Sequence, residues 1–207
     1  MSAEAISAEL DAAVRPAASA PSVELADPTP LAFGAVGLPF GVICLNLTGS
    51  LTPDLAIIVL PLALAYGTIG LFISGSVAFK KGDVFGAFAY TSFAAFFLSF
   101  AAIQLLLATK VTAVQAGGQG TAFAVFAAGW AVIITYLLVL TFKYPVLFRA
   151  IFVLVWFTLV LLVIGFAGSA AALTAGAWIG LATAALCLYA SAAVLMNTVL
   201  GRTVLPL

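Results

Sequence analysis

The side chains of this 207-residue chain that offer chemistry to a solute are hydroxyls and amides set among aromatic rings. Between Phe85 and Thr109 the rings of Phe85, Phe88, Phe93, Phe96, Phe97 and Phe100 are interspersed with Thr91, Ser92, Ser99 and Gln104. Such a mixture can line a narrow path, because rings exclude bulk water while hydroxyls supply isolated hydrogen bonds in its place. It cannot build an activated nucleophile. The chain has no His, and no Asp or Glu stands beside these hydroxyls to take a proton. Cys44 and Cys187 each sit alone in apolar sequence, without a CxxC partner or clustered ligands, and read as buried small hydrophobes. There is no GxxxxGK[ST] phosphate loop. An enzyme, a metal site and a bound cofactor are therefore not expected.

The elements that must position these side chains follow from where charge is absent. Only 7% of residues are charged and 65% are hydrophobic, whereas a water-soluble domain is about 25% charged, so the solvent is lipid. Past Asp27 the ionisable residues Asp54, Lys80, Lys81, Asp83, Lys110, Lys143, Arg149 and Arg202 punctuate long apolar stretches. Each stretch is long enough to cross a hydrocarbon layer of about 30 Å at about 1.5 Å per residue. The expected fold is an all-α membrane protein with six transmembrane helices, near 31–48, 55–79, 85–109, 121–142, 146–167 and 173–199. Residues 27–202 form this domain, followed by a short tail over 203–207. Residues 1–26, rich in Ala, Ser and Pro with mostly acidic charges, read as a mobile cytosolic tail or a short docking helix around Ala3 to Val14; they lack the basic start of a signal peptide. Arg15, Lys80, Lys81, Lys143, Arg149 and Arg202 fall on one side and only Lys110 on the other, which predicts cytosolic N- and C-termini.

No ionisable residue lies near the centre of a span, and proton-coupled pumps normally use intramembrane carboxylates as relays. Passive conduction or transport of something small is what remains. Net charge is zero, so nothing attracts nucleic acid. Burying an unpaired carboxylate is costly, and the solute should be small and partly apolar. An acid titrating near about pH 4.3 is neutral in roughly one molecule in five hundred at pH 7, so acidification favours its passage.

Particular strings add what composition cannot. Asp27-Pro28-Thr29-Pro30-Leu31, Phe79-Lys80-Lys81-Gly82-Asp83-Val84-Phe85-Gly86 with Thr91-Ser92-Phe93 behind it, Ala177-Trp178-Ile179-Gly180-Leu181 and Gly201-Arg202-Thr203-Val204-Leu205-Pro206 resemble, in order and spacing, the succinate-acetate permease family, also called acetate uptake transporters. The resemblance implies six helices per protomer, a homo-hexamer in the bilayer with a separate path through each subunit, and passage of acetate, succinate or similar short carboxylates. Pro28, Pro30 and Leu31 match the family's signature before the first helix, where they would shape the mouth. Asp27 departs from it, adding a negative charge that disfavours dianions or simply capping the helix. The family's aromatic and aliphatic girdle maps to Val36, Phe93 and Val155, where Phe, Tyr and Leu are usual, with Phe33 or Phe40 supplying the ring if the register differs. A smaller, wholly apolar girdle should admit lactate or propionate. Tyr66, Thr91 and Ser92 are the expected polar wall contacts. A channel for a neutral solute such as urea, and a non-conducting assembly or sensor protein, are the competing readings.

Overall fold

The computed structural model describes residues 25–52, 54–110 and 118–207. Six of its helices are long and apolar enough to cross a membrane: α1 (Thr29–Leu47), α2 (Leu55–Lys80), α3 (Val84–Ala108), α4 (Gly118–Lys143), α5 (Val146–Phe166) and α6 (Ala170–Leu200). No strand occurs among the described residues. In hydrocarbon an unpaired backbone group costs several kcal/mol, so stretches this apolar close their hydrogen bonds within helices. The expected tail over 1–26, apart from Leu25 and Ala26, and most of the connection from Lys110 to Gly120 lie outside the described residues.

Local chemistry sets the helix ends. The Asp27 carboxylate accepts from the Thr29 amide at 2.9 Å, and Pro28 and Pro30 fit a first turn whose amides need no helical partner. This starts α1 at Thr29, ahead of the expected Leu31. Asp83 caps α3 by accepting from the Gly86 amide at 3.0 Å, and Ser169 caps α6 by accepting from that of Ala172 at 3.3 Å. In α2, Pro61 brings no amide to the helix and is followed by a wide π turn over Ala63–Ile69. At the far end, α6 stops at Gly201, whose φ of 61° is the left-handed conformation that glycine takes without strain. Beyond it the chain folds back onto the helix. Asn197 Oδ1 accepts from the amides of Val204 at 2.6 Å and Leu205 at 3.0 Å, its Nδ2 donates to the Leu205 carbonyl at 2.7 Å, and the Tyr189 hydroxyl donates to the Pro206 carbonyl at 2.9 Å.

Two arms of helices meet around a central space. One runs α1, α6, α5, α4 by close contact, and the other runs α1, α2, α3. Between α1 and α6 the backbones approach antiparallel: a Cβ on Gly37 would stand 3.0 Å from the Ala184 carbonyl oxygen and 2.9 Å from Leu188 Cγ. Lipid offers helices no hydrophobic incentive to associate, so this close packing of small residues carries the contact. The arms close between α3 and α4 mainly through rings, with Phe96 at 5.4 Å from Phe126 and 5.5 Å from Trp130, and Phe88 at 5.8 Å from Tyr136. Buried Ser74, Thr158 and Thr183 donate to carbonyls one turn back at 2.9, 2.8 and 2.9 Å, which silences their hydroxyls.

Candidate functional site

Three cavities lie in series, walled mainly by α1, α3, α4 and α5. The first, of about 140 Å³, opens beside the start of α1, the start of α3 and the α4–α5 connection, and includes Thr29, Asp83, Tyr90 and Tyr144. A second, of about 370 Å³, lies at the other end of the same helices and includes Asn46, Gln104 and Gln119. Between them is a chamber of only about 20 Å³. Val36, Phe93 and Val155 wall both the first cavity and the chamber, while Phe40, Phe96 and Leu159 wall both the chamber and the far cavity. This sharing establishes the order. On each contributing helix the two wall residues stand three or four positions apart, which is one turn, so the passage narrows at two stacked rings.

A cavity needs about 10–15 Å³ to hold one water, so the chamber has room for about one. A hydrated ion cannot cross it without losing its shell or displacing the rings. The wide ends carry polar groups and the middle exposes none. At the first mouth the hydroxyls of Thr29 and Tyr90 lie 3.4 Å apart, with Asp83 on the same wall. The Tyr144 phenol is pushed above its ordinary range by burial, with the negative charge of Asp83 adding to the effect. It therefore stays a neutral donor at physiological pH. In the chamber Ser92 brings the one hydroxyl. Neighbouring Thr91 and Ser99 donate to the Ala87 and Ala95 carbonyls at 2.6 and 2.7 Å; the Ser92 hydroxyl has no such bond among the described residues, but the surface the chamber exposes is wholly apolar. No group of three or more potential metal ligands occurs among the described residues, and both cysteines are buried free thiols.

The residues singled out from the sequence divide into two sets. Val36, Ser92, Phe93 and Val155 line the central chamber together. Asp27, Pro28, Pro30, Leu31, Tyr66 and Thr91 line none of the three cavities. Asp27 is exposed and bonded to the first turn of α1, and the Pro30 carbonyl accepts from Ser191 at 2.6 Å, so this segment ties α1 to α6. Tyr66 puts its hydroxyl against Gly34 where α1 and α2 meet, and Thr91 packs its methyl against Gly75 of α2. Among the wall positions that were missed are Tyr90, Tyr144, Leu159 and Trp130. Tyr90 lies one turn from Phe93 toward the mouth, so helical spacing from the girdle was the signal that pointed to it.

The sequence pattern of the GPR1/FUN34/yaaH family matches residues 10–206. The chain belongs to the GPR1/FUN34/yaaH family. Among curated relatives of this family, the succinate-acetate/proton symporter SatP of Escherichia coli (strain K12) is 33% identical over 187 residues, spanning 90% of this chain and 97% of that protein. The glyoxylate pathway regulator of Yarrowia lipolytica is 30% identical over 182 residues, spanning 86% of this chain and 66% of that protein. Among solved structures, the bacterial acetate channel SatP superposes with a TM-score of 0.83 at 30% identity, covering 89% of this chain and 99% of that one. With six apolar helices and this kinship, the chain is a multi-pass membrane protein.

Proposed function

We propose that this member of the family is a channel or transporter for short-chain carboxylates, acetate and succinate with room for propionate or lactate, working passively or with a proton and catalysing no reaction. The observation that carries this reading is the uncharged chamber of about 20 Å³ between two wider cavities that each carry polar groups. It suits a solute with one polar end that can pass from Thr29 and Tyr90, through the apolar chamber, to the amides of Asn46, Gln104 and Gln119. Val36, Phe93 and Val155 form the first narrowing. Asp83 on the mouth wall, with Asp27 exposed at the start of α1, raises the electrostatic cost of a dianion's approach. Lys80, Lys81, Lys143 and Arg202 at that end support placing the mouth and both termini in the cytosol. The family kinship supports a homo-hexamer with one passage per subunit.

The test is flux of labelled acetate, propionate, lactate, succinate and urea into liposomes holding the purified protein, between about pH 5 and pH 7. Carboxylate uptake that rises with acidification is the expected result. Uptake of urea alone, indifferent to pH, would select the neutral-solute reading, and sealed vesicles with every solute would select an assembly or sensor role.

A further inference from the structure

We infer that the selectivity filter of this protein is the deep ring of Phe40, Phe96 and Leu159, one helical turn beyond the girdle positions Val36, Phe93 and Val155. The inference rests on the transport reading above and names the residues that decide its specificity.

Three observations support it. The deep ring is built from Phe, Phe and Leu, and the mouth ring from Val, Phe and Val, so the deep opening is narrowed by bulkier groups. Phe96 is clamped on several sides: its centroid lies 5.3 Å from Phe97 and 5.5 Å from Trp130, both edge-on, and 5.4 Å from Phe126. The mouth ring's Phe93 has one such contact, with Phe152 at 6.2 Å. Aromatic pairs attract in an orientation-dependent way, so Phe96 with its three close partners resists rotation more than Phe93 does. Beyond the deep ring the passage opens directly into the cavity of about 370 Å³, where water and amides can take the solute back. The hydrocarbon ring is therefore the last dry step, and a group that must keep its water fails there.

For two narrowings in series, widening the tighter one changes selectivity and widening the looser one changes it little. The experiment is liposome flux of succinate and acetate for the intact protein and for Phe40→Ala, Leu159→Ala, Val36→Ala and Val155→Ala. The deep-ring variants should raise the succinate-to-acetate flux ratio by about tenfold, the scale on which a hydrophobic pocket discriminates by size, and the mouth-ring variants by clearly less. Equal or larger shifts from the mouth-ring variants, or unchanged ratios in the deep-ring variants, would overturn the assignment. Because Phe40 and Leu159 also pack the bundle, Phe40→Leu and Leu159→Val are measured alongside, with a single symmetric elution in detergent confirming the fold; a smaller shift in the same direction is expected. An intact protein that passes no carboxylate would instead refute the transport reading.

Discussion

Ser92 is the residue whose neighbours make it most telling. Nearby hydroxyls in α3 are spent on their own helix, whereas Ser92 makes no such bond among the described residues and lines a chamber whose exposed surface is apolar, so its hydroxyl must turn to meet a solute. A net hydrogen bond is worth about 1 kcal/mol, so Ser92→Ala should slow acetate flux about fivefold while leaving the thermal unfolding temperature nearly unchanged. Val36 offers the complementary change. Val36→Phe would make the mouth ring nearly as bulky as the deep one and should cut propionate flux relative to acetate about tenfold, read from paired uptake curves. Selectivity unmoved by this substitution would mean that Val36 does not wall the route the solute takes.

At the scale of elements, small residues decide how close the helices come. Gly37→Val forces a side chain into the Ala184 carbonyl and Leu188, and should cost about 1–3 kcal/mol, seen as an earlier thermal transition in detergent. Gly129 in α4 has nothing within 4 Å of where its Cβ would be, so Gly129→Ala should be neutral or stabilising in the same assay. The six spans and their order were legible because lipid demands long apolar runs and charges mark the turns. Which face of each helix looks inward was much less legible. A bundle helix in lipid is apolar all round, so no amphipathic stripe separates the wall from the outside. Thr91 and Phe93 are adjacent in the Thr91-Ser92-Phe93 string, yet Thr91 turns to Gly75 of α2 while Ser92 and Phe93 turn to the chamber. Tyr66 was drawn away in the same manner, by the space that Gly34 leaves beside α2. Val36, Phe93 and Val155 could be picked out by resemblance, but the ring one turn deeper needed the packing of rings that are far apart in sequence.

The whole molecule offers a wide cavity with polar groups at each end and a narrow apolar chamber between them, with no ionisable side chain lining the narrow part. If the neutral acid is the species that crosses, acetate flux should climb roughly tenfold for each unit of acidification while the pH stays well above the acid's pKa. Tyr144 will not imitate this. Its folded-state pKa lies above 10.0, so it is neutral in both folded and unfolded protein throughout physiological pH, and its ionisation affects stability only in strong alkali. A flat profile across that range would assign passage to the anion. The seam between α3 and α4, joined by tilted and edge-on rings more than by apposed backbones, bears on speed. Swinging a ring aside is a side-chain event, whereas rocking whole helices takes microseconds to milliseconds. A guest arriving from the mouth thus meets first the loosely held Phe93 and then the clamped Phe96, so the outer gatepost swings while the inner one stands still.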